Sequence, residues 1–193
     1  MTKLLTYTLA LTSFLLLAGC GGESASSGAA SSAPSSASGG GNGGGGGNEA
    51  KHPLIGSPAP DFSAAWANGK GRAAVKGSSG KVLIVDFWAT WCEPCKKSFP
   101  KLQDLYTRYK TSGMDLIAVS EDDENTGITD FGATFGAKFP IVWDGGKTIA
   151  GKWQPKSMPS TFIVDKMGIV RFVHLGYHDG EEAEIEKEVK SLF

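Results

Sequence analysis

The sequence predicts an α/β domain built on a mixed β-sheet, on three observations. Lys81–Trp88 and Met114–Ser120 are nearly continuous apolar runs, as strands buried on both faces of a sheet must be. Between them Phe99, Leu102, Leu105, Tyr106 and Tyr109 recur at helical spacing, which gives a strand–helix–strand unit. Further on, Thr161–Val164 and Ile169–His174 are separated only by Asp165-Lys166-Met167-Gly168, the pattern of a hairpin.

The elements follow in order. Hydrophobic pattern begins at Pro53, and the domain is expected over residues 51–193. Short apolar pieces over 61–76, broken by Asn68-Gly69-Lys70-Gly71, predict a small N-terminal hairpin. In the first central run Val82, Leu83, Ile84, Val85, Phe87 and Trp88 are apolar, and Asp86 stands alone among them. The helix after it contains Pro100, which removes one helical hydrogen bond and predicts a kink. Gly113 is its stop. Ile128, Phe131 and Phe135 predict a helix face, weakened by Gly127 and Gly132. Phe139–Trp143 reads as a short strand, and Ile149, Ala150 and Trp153 as a short helix. The last helix is expected to open with Asp179 and Glu182 in capping-box spacing and to bury Ile185, Val189 and Leu192.

The residues before this domain have a different character. Lys3 precedes a mostly apolar stretch from Leu4 to Leu17, shorter than the roughly 20 residues a spanning helix needs, so it reads as a signal peptide. It ends in Leu17-Ala18-Gly19-Cys20, which resembles the lipobox of bacterial lipoproteins, with 1–20 as the leader and Cys20 as the lipidated residue. Residues 21–50 are almost entirely Gly, Ser and Ala, with no large apolar side chain. Such a segment buries too little surface to offset its ordering entropy and predicts a flexible tether spanning roughly 30 Å. The net charge is −1, and the part beyond the tether is neutral, so no electrostatic footprint for nucleic acid is present.

Chemistry is concentrated at Trp91-Cys92-Glu93-Pro94-Cys95, where the first central strand hands over to the helix. A cysteine at a helix N-terminus meets unpaired amides and the positive end of the dipole, both of which favour thiolate. Pro94 fits the first turn, where its missing N–H has no helical partner. Exchange chemistry needs one accessible thiolate to attack and a second, more buried thiol to resolve the mixed disulfide, which assigns attack to Cys92 and resolution to Cys95. A structural zinc site normally takes four ligands, and His174 and His178 do not share a helix face, so no metal is expected.

Val82–Pro100, reading V-L-I-V-D-F-W-A-T-W-C-E-P-C-K-K-S-F-P, resembles the active-site segment of thioredoxin-like proteins. Together with the tether, the C-E-P-C form resembles the exported TlpA/ResA-type thiol–disulfide oxidoreductases, over about residues 54–193. The resemblance implies a three-layer thioredoxin-like fold with an inserted helix–strand unit between the active-site helix and the hairpin. It implies a redox-active Cys92–Cys95 disulfide in place of any cofactor, and exported proteins, including those of cytochrome c maturation, as clients. It also implies a membrane-embedded thiol carrier as electron donor, and a place in the bacterial cell envelope. Asp86 matches the proton acceptor for Cys95, although a carboxylate reaching water or a lysine at the sheet edge fits the same pattern. Pro159 matches the family's cis-proline, exposing the backbone of Met158 to an extended substrate. Trp91, Glu93 and Pro94 complete the expected binding rim, whereas Trp88 is expected in the core and Glu121–Glu124 in a solvated loop.

Other functions on this fold fare worse. A peroxiredoxin would place Pro and Thr seven and three residues before its cysteine, and Val85 and Ala89 stand there instead. A metal-handling or non-catalytic lipoprotein stays open as the alternative. The anchor is tested directly: wild type is expected to partition into a detergent phase, and Cys20→Ala to escape normal processing. A mature protein that is water-soluble and begins after residue 20 would overturn the lipid anchor while leaving the catalytic reading intact.

Overall fold

The computed structural model of the chain describes residues 52–193. The leader, Cys20 and the tether lie outside the described residues. The Asn68–Gly71 turn joins β1 (Ser63–Ala65) to β2 (Arg72–Ala74) as an antiparallel hairpin. Buried along its whole length, β3 (Val82–Trp88) feeds α1 (Glu93–Tyr109), which brings the chain back so that β4 (Met114–Ser120) pairs parallel with β3. Gly113 makes that return at φ 98, a left-handed turn that a Cβ would oppose. Next, α2 (Ile128–Thr134) leads to β5 (Ile141–Trp143), parallel to β4, and α3 (Thr148–Trp153) follows. The hairpin of β6 (Ser160–Val164) and β7 (Val170–Leu175) then lies antiparallel against β3, and α4 (Glu181–Ser191) ends the chain. The order β5-β4-β3-β6-β7 puts β3 at the centre of a mixed sheet.

Alternation along β3 divides the core. Ile84 and Trp88 enter one layer, closed by α1, α2 and α4 through Phe99, Leu102, Phe131, Ile185 and Val189. Leu83, Val85 and Phe87 enter the other, closed by the N-terminal hairpin and α3 through Phe62 and Trp153. The fully buried Trp153 packs its ring 5.1 Å from Phe162 and 6.0 Å from Phe87. The three layers, the hairpin and the extra helices between β4 and β6 match the sequence expectation.

Pro100 lies inside α1, which continues through it to Tyr109. One local expectation needs adjusting. Asp179 does not cap α4: the cap position belongs to Gly180, at φ 97, a left-handed conformation that favours glycine. Half of the capping box survives one residue later, because the Gly180 N–H donates to Glu182 Oε2 at 3.2 Å.

Candidate active site

The site is built where β3 ends and α1 begins. The Cys92 N–H donates to the Ala89 carbonyl at 3.1 Å, folding the intervening turn. Cys92 then takes the N-cap position of α1 with an extended backbone, and its sulfur accepts the Cys95 N–H at 3.2 Å. A sulfur in the place normally held by a serine or aspartate oxygen meets the helix amides directly, which favours its anionic form. Pro94 occupies the first turn as expected. Cys92 and Cys95 are joined as a disulfide with Cα atoms 5.2 Å apart.

The loop is held from beside by an anchor that the sequence reading missed. Asp122, buried at the end of β4, accepts the Thr90 N–H at 3.0 Å, the Thr90 hydroxyl at 2.7 Å and the Ser120 hydroxyl at 2.8 Å. Glu121 is buried too, and its N–H donates to the Trp88 carbonyl at 2.8 Å. The expected solvated loop is therefore solvated only at Asp123 and Glu124. Glu121 and Asp122 are drawn inward because they continue β4 alongside the β3–α1 turn. Burial and the neighbouring Asp144 push the Glu121 carboxyl up to about 7, with Lys147 opposing.

Both cysteines are nearly covered, at 4% exposure for Cys92 and none for Cys95, but only Cys92 opens on a groove. Trp91, Glu93 and Pro94 form one wall with Cys92, and Pro155, Lys156, Ser157 and Met158 form the other. Trp91 is 68% exposed, a rim position, whereas Trp88 is fully buried in the core. The Met158–Pro159 peptide is cis, and the Pro159 carbonyl is tied to the Gly176 N–H at 2.7 Å. Glu93 points to solvent and pairs with Lys96 at 2.8 Å, which holds its carboxyl below the usual range.

Asp86 is fully buried, on the sheet face where Cys95 also packs. Its side chain is fully covered, and among the described residues no lysine pairs with it. The Thr161 hydroxyl donates to its Oδ1 at 2.7 Å, and Oδ2 has no hydrogen-bond partner among the described residues. Desolvation pushes its carboxyl up to about 7, the Thr161 bond opposing and the charge of Glu181 adding to the rise. Among the described residues no group of three or more His, Cys, Asp or Glu is placed to hold a metal.

Residues 55–173 match the AhpC/TSA family. The thiol-disulfide oxidoreductase ResA of Bacillus anthracis is 35% identical over 130 residues, 67% of this chain and 75% of that protein. The chain belongs to this family. ResA of Geobacillus kaustophilus is 32% identical over 138 residues, covering 72% of this chain and 78% of its own length. A Chlorobium tepidum protein assigned as thiol:disulfide interchange protein DsbE superposes with a TM-score of 0.68 at 29% identity, over 72% of this chain and 96% of that one. The fold is thioredoxin-like, and the protein is a thiol–disulfide oxidoreductase.

A further polar group escaped the sequence reading. His174 on β7 is buried between Glu188, whose carboxylate accepts from Nε2 at 2.6 Å, and Glu181, 3.5 Å from Nδ1. Burial works against its charge, but the bonds to Glu181 and Glu188 prevail and push the imidazole up to about 9. Nothing in the linear spacing marks these residues as partners.

The raised groups make stability depend on pH with a definite sign. A carboxyl that titrates at about 7 when folded and near 3.8 when unfolded holds its proton more tightly in the native state. Asp86 therefore costs stability progressively as pH rises from about 4 to about 7, to a total of about 4 kcal/mol. His174, raised from 6.5 to about 9, contributes stability that is complete below its unfolded value and lost as pH rises through about 9. Urea unfolding of wild type and Asp86→Asn is expected to show the variant gaining on wild type by about 4 kcal/mol between about pH 4 and about pH 8. A difference that does not change with pH would mean that Asp86 is not held protonated.

Proposed function

We propose that this domain is a disulfide reductase for exported proteins, with Cys92 as attacking thiolate, Cys95 as resolving thiol and Asp86 as the proton acceptor of Cys95. The observation that carries it is the asymmetry of the pair: Cys92 caps α1 and opens on the groove, while Cys95 is closed off on the face of Asp86. In the reaction the Cys92 thiolate attacks one sulfur of a client disulfide, and the client's other sulfur leaves as thiolate. Cys95 then gives its proton to Asp86 and attacks Cys92 Sγ, releasing the second client sulfur. The client gains two electrons, the domain keeps the Cys92–Cys95 disulfide, and the proton on Asp86 can return to the departing thiolate. A client strand lying in the groove would pair with the backbone at Met158, beside Pro159, with Trp91, Glu93 and Pro94 facing it.

The surroundings of this reaction are part of the proposal. A lipid on Cys20 and the tether over 21–50 would hold the domain outside the cytoplasm at the bacterial envelope. A membrane thiol carrier would return electrons to the disulfide, and thiol pairs of proteins in cytochrome c maturation fit as clients. The names of the ResA and DsbE relatives support an exchange reaction on thiols and disulfides.

The direction of exchange rests on Glu93. Its carboxylate stands next to Cys92 and disfavours a second negative charge there, an effect Lys96 offsets in part. The Cys92 thiolate is therefore less stabilised than in a strong oxidant, which supports a potential nearer thioredoxin's roughly −270 mV than roughly −120 mV. Replacing the carboxylate by an imidazole, which carries no negative charge, in Glu93→His is expected to raise the potential by tens of mV in glutathione equilibration. An unchanged or lower value would remove this support for a reductant.

The roles of the two cysteines separate by trapping. Cys95→Ser is expected to accumulate mixed disulfides through Cys92, because attack survives and resolution does not, and Cys92→Ser to lose exchange altogether. Adducts carried by Cys95 in the Cys92→Ser protein would reverse the assignment.

A further inference from the structure

A polar row crosses the sheet on the face covered by α1 and α4. Asp86 on β3 is the register partner of Thr161 on β6, and Thr161 is the register partner of His174 on β7. Lateral partners in a sheet present their side chains to the same face, so the three form one line through a layer otherwise built of Ile84, Trp88, Phe99, Ile163 and Ile185. The Thr161 hydroxyl donates to Asp86 at 2.7 Å. Glu181 and Glu188, seven residues apart on α4, lie two turns along one helix face and hold His174 between them.

The charges in this row do not cancel. One imidazolium between two carboxylates leaves a net negative charge, and Glu181 is buried to 4% exposure. It lines a small cleft between α1 and α4 together with Thr161, Ser98, Leu102 and Tyr177. At the mouth of that cleft Lys101 and Glu182 pair at 3.4 Å, and the Tyr177 hydroxyl donates to Glu182 at 3.2 Å, so those groups satisfy one another. The titratable groups that line the row and its cleft are thus Lys101 on α1, His174 on β7, Tyr177 in the loop, and Glu181, Glu182 and Glu188 on α4, with Cys95 on the same face of the sheet; β4 presents Ala118. Burial is the main cause of the raised Asp86 carboxyl, and the charge of Glu181 adds to it.

We propose that Glu181, held in place by His174, is a positioning residue for the redox reaction: across the cleft its charge moves upward the pH range in which Asp86 takes the proton of Cys95. The inference rests on Asp86 being that acceptor. The seat of α4 on β7 then becomes part of the chemistry. A neutral Asp86 cannot accept a proton, so resolution of the mixed disulfide quickens with pH as Asp86 ionises. Removing the Glu181 charge makes ionisation easier and moves that rise to lower pH. Removing the His174 cation leaves the carboxylates uncompensated and cannot move it in that direction.

The test is single-turnover reaction of the reduced protein with an aromatic disulfide whose released thiolate is coloured, followed by stopped flow across pH. For Glu181→Gln the midpoint of the resolution phase is expected to fall by about half a unit, giving a twofold to threefold faster resolution at about pH 6 and no difference above about pH 8. His174→Gln is expected to show no such acceleration. Carbon NMR of the Asp86 carboxyl gives the same midpoint without turnover and is expected to shift with it. A midpoint unmoved in Glu181→Gln, or a downward shift shared by both variants as simple loosening would produce, overturns the proposal. Asp86→Asn separates the two levels. If it abolishes the pH dependence while Glu181→Gln leaves that dependence in place, only the role of Glu181 is lost. If Asp86→Asn keeps the dependence, the reading of Asp86 itself fails.

Discussion

The sulfur of Cys92 is the N-cap of α1, and the rest of the site is arranged to keep it there. A helix terminus offers amides whether or not a ligand accepts them, and here the acceptor is the reactive atom itself, taking the Cys95 N–H. The cap position requires that the chain leave β3, turn within four residues and enter the helix at a fixed angle. That turn is fixed twice, by the Cys92 N–H on the Ala89 carbonyl and by Asp122 on Thr90. Its floor is Trp88, whose ring packs 4.8 Å from Phe99 and 4.5 Å from Phe131. The redox pair is therefore mounted on a turn held by packing below and hydrogen bonds beside it, and the groove wall at Pro155–Met158 is brought to it by β6, the other neighbour of β3.

Much of this was legible in the chain. Apolar runs without alternation marked β3 and β4 as central, because only buried strands tolerate apolar residues on both faces. The C-x-x-C spacing at a strand-to-helix junction identified the site, since the proximity it requires is local, within one helical turn. The Met158–Pro159 cis bond followed from resemblance and is present. What stayed hidden was long-range polar pairing. Asp122 and Thr90 are 32 residues apart, and nothing in an acidic run distinguishes two inward carboxylates from two outward ones. His174 and Glu181 become partners only once β7 and α4 are packed together. The capping box slipped by one residue for a related reason: Gly180 supplies a left-handed backbone, a preference that outweighs a side-chain cap.

The buried carboxyls set an energetic problem that the fold answers locally. Keeping Asp86 in an apolar layer costs about 4 kcal/mol at neutral pH and above, comparable to the whole stability margin of many domains. The same layer concentrates aromatic contacts: Phe99 lies 5.1 Å from Phe131 and 5.2 Å from Phe139, with edge-to-face geometry. Pairs of this kind add about 0.5–1.5 kcal/mol each beyond their burial, so a few of them offset the carboxyl. The stabilising cluster and the destabilising acid thus sit on the same face of the same sheet. Function gains from that proximity, because the packing which offsets the acid also excludes the water that would return its pKa to an ordinary value.

The layer also explains why the two ends of the protein's chemistry are unequal. Cys92 faces a groove whose walls are largely side chains at rims and loops, free to accommodate different clients. Cys95 and Asp86 face a core in which every neighbour is fixed by packing or register. In the proposed reaction a client meets only the first set, and the proton of Cys95 meets only the second. Recognition can then vary with the exposed residues Trp91 and Lys156 without disturbing the acid–base environment. On the proposal made above, that environment is tuned instead from the opposite side, through Thr161 and the seat of α4 on His174.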